Sequence, residues 1–479
     1  MVGSLVLFGS ATVDSKLMAR EKPNIIFILA DDMGWADLPV YGNPFNEAPN
    51  LDKLASEGMR FTNAYAACPV CSPTRASIQS GQYPTRVGVT DFIPGHWRPY
   101  EEVIVPSNRT QYLPEEIVTI GEMMKSAGYA TGYFGKWHLG DKSEYHPLNQ
   151  GYDVASVGQG YYNVQFNPPR ETNPSERLSE LIADFGEEFI DKNKDHPFFL
   201  FLAHFDVHVQ LDADRDLIEK YLNKENKGTY PGNAIYAAMI GHLDRSVGRI
   251  LTKLKETGLE ENTIVVFFSD NGGLISRFDR VPLLARDKSD VYRDSPLQYI
   301  ASSNAPLRAE KGTVYEGGIR EPLIVRWPGK IKAGSVSEAI VSSVDFYPTF
   351  MQLAGAKTPK GQVLDGQSIV PALTEDKYDP ERAIFWHYPV YHHDVPAGAV
   401  RKGDWKLISD FVSGEVELYN LKADISEANN LSDLFPEKRG ELEGILKKWQ
   451  KDVKAEFPVP NPDFDEKRRK EWGPRPGKK

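Results

Sequence analysis

The feature that most limits the possible folds is a set of short, continuously apolar runs: Ile25 to Ala30, Phe198 to Ala203, Thr263 to Phe268 and Leu323 to Val325. Runs of this kind suit strands buried on both faces, which an α/β protein covers with helices. The spacing between them is helical. Tyr236, Met239, Ile240, Leu243, Val247, Ile250, Leu251 and Leu254 predict one helix face ending before Gly258, and Ile117, Ile120 and Met124 predict another before Gly128. Strands alternating with helices predict a large mixed, mostly parallel sheet sandwiched by helices. Ligands of such sheets bind beyond the carboxyl ends of the strands. Polar clusters stand at those points: Asp31-Asp32 follows the first run and Asp270-Asn271-Gly272-Gly273 follows the third.

At 479 residues the chain exceeds what one core usually serves, so a large domain and a smaller one are expected. From about residue 380 the texture changes. "GAVRKGDWKLI" and "GEVELYNL" look like two hairpin segments, followed by a charged helix near 431–454, which predicts a small C-terminal α+β domain with an antiparallel sheet. The expected organisation is therefore a leader at 1–21, a catalytic domain at 22–379 and an α+β subdomain at 380–479. The leader's apolar run, Leu5 to Phe8, is too short to span a bilayer and lacks a basic flank; a clipped signal remnant and a plain disordered leader both fit it. The basic tail "DEKRRKEWGPRPGKK" reads as a solvated surface extension. A formal net charge of −11 argues against broad nucleic-acid or membrane-surface binding, so an anionic substrate would have to be met by a few local cations.

Asp31-Asp32 alone could cap a turn. A second strand end delivering Asp270 and Asn271 to the same place changes that reading, because carboxylates plus an amide form a hard oxygen set suited to Ca²⁺ or Mg²⁺ and not to zinc. Gly272 and Gly273 are expected to let the backbone turn sharply away.

Both cysteines, Cys68 and Cys71, lie in "CPVCSPTR". A redox pair would open a helix in a small thioredoxin-like unit, and a structural zinc site would need a second cysteine or histidine pair; neither context is present. Cys71-Ser72-Pro73-Thr74-Arg75 followed by Ser80-Gly81 resembles the C-x-P-x-R signature of the formylglycine-dependent sulfatases, with Thr74 for the commoner serine and Gln79 where leucine is frequent. "PNIIFILADDMGWADLPVYG", "GYFGKWHLG", "FFSDNGG", "APLRAEKGTVYEGGIREPLIVRWPG", "DGQSIVPAL" and "ELYNLKADISEANNL" resemble further blocks of that family in the same order, so the likeness runs through nearly the whole chain from residue 22.

The resemblance implies an alkaline-phosphatase-like fold and a sulfuric ester hydrolase in which a maturation enzyme, the formylglycine-generating enzyme, oxidises Cys71 to 3-oxoalanine. Carried over position by position, it implies that Asp31, Asp32, Asp270 and Asn271, with the modified Cys71, hold one Ca²⁺. Arg75 and Lys136 would hold the hydrated aldehyde, His138 would act as its base, Lys311 would contact the sulfate, and His208 would protonate the departing alcohol, with His204 as the competing candidate. Val207 and Gln210 stand where many relatives have proline. Lys136 and His138, two apart, are expected to share a side of an extended strand end. Cys68 is expected to be a small packed residue.

Catalytic residues of this kind do not select among sulfate esters, so selection falls to loops. The stretches 95–110, 274–304 and 386–398 are rich in Trp, Tyr, His and Arg, a mixture suited to sugars and to their charged groups, with Trp97, Arg98, His387, His392 and His393 as candidates. The expected substrate is a sulfated poly- or oligosaccharide met in the periplasm or outside the cell; a phosphonate or phosphate ester is the alternative within the same superfamily. Neither a nucleic-acid nor a membrane partner is expected, and the oligomeric state is open.

Overall fold

The computed structural model describes residues 22–473 except His96, Lys227, Thr229 and Phe278–Arg280. The leader at 1–21 and tail residues 474–479 lie outside the described residues.

The strands, in chain order, are β1 (Asn24–Ala30), β2 (Met59–Tyr65), β3 (Val103–Ile104), β4 (Ala130–Gly135), β5 (Val154–Val157), β6 (Phe198–Ala203), β7 (Thr263–Ser269), β8 (Arg320–Arg326), β9 (Ser335–Ser337), β10 (Val341–Ser342), β11 (Ala383–Tyr388), β12 (Ala397–Lys402), β13 (Trp405–Asp410), β14 (Val416–Asn420) and β15 (Val459–Pro460). All four apolar runs are strands. A nine-stranded sheet runs β10-β2-β8-β7-β1-β6-β4-β5, with β9 also on β2. Around β1 the pairing with β6 and β7 is parallel, while β8 lies antiparallel to both β7 and β2.

Alternation along β1 builds two apolar layers. Ile26, Ile28 and Ala30 face the helices Leu178–Asn193 and Ala234–Glu256. Ile25, Phe27 and Leu29 face the other side, where Phe27 meets the rings of Phe346 and Phe350 at 4.9 and 5.8 Å on the helix Phe346–Ala354. The helix predicted before Gly128 is Ile120–Ser126, opened by a capping box from Thr119 and Glu122; Ile117 precedes it, buried but outside the helix.

A second, four-stranded antiparallel sheet, β11-β12-β13-β14, carries the helix Pro436–Asp452. "GAVRKGDWKLI" is the β12–β13 hairpin, whereas "GEVELYNL" supplies a single strand, β14, to the same meander. On β11, Ile384, Trp386 and Tyr388 face the catalytic half, and the Trp386 indole N–H donates to the Ala66 carbonyl at 2.8 Å. Phe385 and His387 point the other way, toward the helix Pro436–Asp452: Phe385 stacks on Trp449, and His387 Nδ1 lies 3.4 Å from Gln450 Nε2.

The tail does not behave as a solvated end. β15 pairs with β3, and the Asn461 amide donates to the Pro99 and Glu101 carbonyls at 2.8 and 2.7 Å. Arg469 pairs with Glu101 and Glu102 at 3.1 and 3.0 Å, Arg468 lies over the Tyr100 ring, and the Gly473 N–H donates to the Trp97 carbonyl. Basic side chains of the tail thus meet an acidic loop and make a strap. No helix among the described residues is long and apolar enough to cross a membrane.

Candidate active site

The register of the central strands assembles the site. Ala30 of β1 lies opposite Ser269 of β7, so the residues that follow, Asp31-Asp32 and Asp270-Asn271, emerge side by side. All four are fully buried or nearly so. Asp32 turns the chain with a backbone φ of 62°, and its N–H donates to Asp270 Oδ1 at 3.2 Å. Gly272 has a different reason from the sharp turn expected of it: a Cβ there would lie 1.9 Å from the Gly317 carbonyl oxygen, so close backbone approach excludes a side chain.

Cys71 is the first residue of the helix Cys71–Ser80, which lies entirely in the interior. Its Sγ groups with Asp31 and Asp270, all three offering ligand atoms within 4.8 Å of one another, and Asp31, Asp32 and His208 form an overlapping set. Cations surround the acids. Lys136 Nζ lies 2.6 Å from Asp31 Oδ2 and Lys311 Nζ 2.7 Å from Asp32 Oδ1. The Arg75 guanidinium donates to Asp270 Oδ2 at 2.8 Å from Nε and to the Lys136 carbonyl at 2.7 Å.

Burial alone would raise the Asp31 carboxyl, but Lys136, His208 and Arg75 together hold it well below the usual carboxylate range. Asp270 goes the other way, raised by burial and by Asp31 beside it. Asp31 Oδ1 and Asn271 Oδ1 are buried without a hydrogen-bond partner, while the Asn271 amide N–H donates to Asp32 Oδ1 at 2.8 Å. Unpartnered oxygens beside crowded carboxylates, with no histidine-rich cluster among the described residues, fit a hard divalent cation such as Ca²⁺.

His138 Nε2 is 2.7 Å from the Ile93 carbonyl and must donate to it, which leaves Nδ1 as an acceptor facing Cys71 Sγ at 3.2 Å. Burial, with Lys136 nearby, pushes the imidazole down to about 3, so it is neutral near pH 7. The extended strand end expected for Lys136 and His138 is not what aims them: β4 stops at Gly135 and His138 has a φ of 61°.

His208 joins the same cavity, with Nε2 at 3.7 Å from Asp32 Oδ2; the peptide bonds Asp206–Val207 and Val209–Gln210 around it are cis. Burial lowers its imidazole to about 4 against the pull of Asp32. His204 lies elsewhere, fully buried against Ser246 on the helix Ala234–Glu256. Cys68 is packed and its thiol pushed well up by burial.

The cavity over Cys71 holds about 640 Å³, within the range of small-molecule sites. Lys136, His138, His208 and Lys311 line it, together with His392 and His393. A Cβ at Gly312, whose φ is +80°, would meet His392 Nδ1 at 2.0 Å, so the chain beside Lys311 is shaped to admit that ring. Other proposed recognition residues fall outside the lining. His387 is buried between Phe411 and Phe457 and bonds the Glu456 carbonyl at 2.8 Å, because strand alternation turns it away. Arg98 acts as a strut, donating to the His392 carbonyl at 2.7 Å, and Trp97 receives the end of the strap. Of the segment 274–304, Leu274 and Arg277 reach the cavity, while Leu283, Leu284 and Tyr292 pack into the core. Sequence reasoning missed Gln159, Phe205 and Trp472 in the lining. Trp472 carried a signal, an aromatic between basic residues opposite the acidic pair Glu101-Glu102, which its reading as a tail obscured.

The chain is similar to known proteins along most of its length. The family described as Sulfatase matches residues 23–356, and the one described as N-sulphoglucosamine sulphohydrolase, C-terminal, matches 309–454. A sulfatase of Formosa agariphila is 33% identical over 89% of this chain and 88% of its own length. The N-acetylgalactosamine-6-sulfatase of Sus scrofa is 35% identical over 77% of this chain and 69% of its own. The crystal structure of Ps i-CgsB in complex with k-i-k-neocarrahexaose is similar with a TM-score of 0.75 and 28% identity, covering 91% of this chain and 95% of that one.

Proposed function

Because the chain belongs to the sulfatase family, and is with it a sulfuric ester hydrolase, we propose that it removes O-sulfate from a sulfated oligo- or polysaccharide, using Cys71 converted to formylglycine and one Ca²⁺. The observation that carries the reading is Cys71 at a helix start among Asp31, Asp270 and the acceptor nitrogen of His138. Asp31, Asp32, Asp270 and Asn271 would hold the ion. Formylglycine at residue 71 would supply a hydrated aldehyde with two hydroxyls, one as nucleophile toward sulfur, and the ion would supply positive charge beside the sulfate oxygens.

The chain's own groups do the rest. Lys136 and Lys311 face the cavity as fixed cations and hold an anionic ester there against a net charge of −11. Arg75 locks Asp270 and the Lys136 backbone, so the acids keep their spacing. His138, neutral and with Nδ1 toward residue 71, accepts a proton from that side chain. His208 stands across the cavity to give a proton to the departing sugar oxygen, and an arriving sulfate raises its affinity for that proton. A glycan is favoured because relatives are named for N-acetylgalactosamine 6-sulfate and a neighbour is complexed with a neocarrahexaose. The antiparallel sheet that begins at Ala383 supports a C-terminal unit with a boundary near residue 380. A route through the periplasm or out of the cell follows from such a substrate.

The test is sulfate release from defined sulfated oligosaccharides and an aryl sulfate, using protein co-expressed with the formylglycine-generating enzyme in Ca²⁺, with residue 71 checked by intact mass. Cys71→Ser is expected to fold and bind but not turn over. Wild-type activity in that variant sinks the formylglycine reading, and faster cleavage of aryl phosphate or phosphonate than of sulfate sinks the ester assignment.

A further inference from the structure

The cavity over Cys71 does not end at His138. Ile93, Lys136, His138 and Gln159 are shared with a second cleft of about 770 Å³, so the two adjoin along these residues. The second arm is lined by the amides Gln111, Gln159, Asn163, Gln165 and Asn167. Nothing in the chemistry above uses them.

Residues 163–167 explain how these side chains come to line one wall. Asn163, Gln165 and Asn167 are exposed, while the intervening Val164 and Phe166 are buried at 6% and 7% exposure. Asn163 turns the chain with a backbone φ of 51°, and beyond it side chains alternate, so that Gln165 and Asn167 line the cleft beside Asn163 over the apolar anchor of Val164 and Phe166. The stretch is pinned at both ends. Asn167 exchanges two backbone bonds of 2.8 Å with Val157, its carbonyl also faces His146 Nε2 at 2.9 Å, and the Asn163 N–H donates to the Pro174 carbonyl. Just before it, the Tyr161 hydroxyl donates to the His208 carbonyl, tying this wall to the segment that carries His208. Such a wall spends little ordering entropy on binding.

Its chemistry selects the ligand class. An amide offers both donors and an acceptor, which matches sugar hydroxyls, themselves donors and acceptors. Beyond Lys136, which serves the sulfate, charge along this arm is nearly balanced: Lys142, beside Asp141, lies 3.6 Å from Glu144. We propose that this arm binds uncharged, hydroxyl-bearing sugar units adjoining the sulfated one, so that the enzyme reads a stretch of glycan chain and not a single sulfated sugar. This rests on the sulfatase reading above.

The test compares matured full-length enzyme with the Asn163→Gly/Gln165→Ala variant on κ-neocarrageenan and monosulfated keratan hexasaccharides, in which uncharged units adjoin a sulfated one, on the corresponding sulfated monosaccharides and on 4-methylumbelliferyl sulfate. For the wild type, release from a hexasaccharide is expected to exceed that from its monosaccharide at least tenfold in kcat/KM. In the variant, the ratio of hexasaccharide to aryl ester is expected to fall at least tenfold, through KM. Equal rates on hexasaccharide and monosaccharide, an equal loss on every ester, or no release from either hexasaccharide by an enzyme that cleaves the aryl ester overturns the proposal. No release from any ester with residue 71 converted overturns the sulfatase reading instead.

Discussion

Lys406 on β13 is fully buried with its Nζ 2.9 Å from Glu316 Oε1 and 2.8 Å from Glu427 Oε1, both of them also fully buried. It is the cation that joins the antiparallel sheet to the chain following Lys311. Lys406→Met keeps the volume and removes the charge. Glu316 retains the Tyr65 hydroxyl at 2.7 Å and Arg320 at 3.2 Å, whereas Glu427 keeps the Glu316 N–H at 2.7 Å. The penalty therefore falls on Glu427, which burial already pushes up to about 7 with Lys406 in place. Leaving one partner of a buried pair uncompensated costs about 3–5 kcal/mol. A carboxyl whose folded pKa exceeds its unfolded value binds more protons when folded, so stability is lost as pH rises from 4.5 through 7, and losing Lys406 carries that window higher. Urea unfolding at fixed calcium is expected to show the full loss at pH 8, a loss smaller by about 1 kcal/mol or more at pH 6, and partial recovery in Lys406→Met/Glu427→Gln. A loss under about 1 kcal/mol at pH 8, a loss independent of pH, or a double variant no better than the single refutes the reasoning.

Three other outcomes are expected. His208→Ala should lower kcat about 10²–10⁴-fold on a sugar sulfate and far less on an aryl sulfate, whose leaving group needs no proton; equal losses on both would remove His208 from that role. Trp472→Ala should raise KM for a sulfated glycan roughly fivefold, from about 1 kcal/mol of aromatic contact, because the indole lines the cavity under Arg98 at 5.0 Å; an unchanged KM would mean the strap only covers its loop. Glu310, pushed by burial up to about 7, accepts from the Ile275 and Ser276 N–H groups at 2.6 and 3.0 Å, so its contribution should be lost between pH 4.5 and 7, and Glu310→Gln should flatten that dependence in thermal unfolding.

How far each feature could be read in the sequence follows from how local its cause is. The strand runs needed only continuous apolar residues, and the parallel register of β1 and β7 then put Asp31 beside Asp270 without further information. Cys71, Lys136 and Lys311 were legible through motif likeness, which encodes tertiary relations that no spacing rule contains. His138 was found by motif but aimed wrongly, because a single left-handed residue after β4 does what an extended strand end was expected to do. His387 failed for the opposite reason. Its loop composition suggested a sugar contact, yet β11 begins early enough that period-two alternation buries it between Phe411 and Phe457, while His392 and His393, beyond the strand end, reach the cavity.

The strap shows the remaining limit. Charge patterning along a tail gives solvation as the default, and Arg468 and Arg469 taken alone support it. Their partners, Tyr100, Glu101 and Glu102, are more than three hundred residues away in a loop that was itself read as a recognition surface. Of the two ion pairs, Arg469–Glu102 is open to solvent and contributes little, which leaves Arg469 on the buried Glu101 as the one charge contact of weight. Backbone pairing of β15 with β3 and the two carbonyls taken by the Asn461 amide supply directional bonds that composition does not reveal. By that route an indole far beyond Cys71 in the sequence comes to line the cavity over it, a placement that backbone pairing supplies and side-chain composition does not.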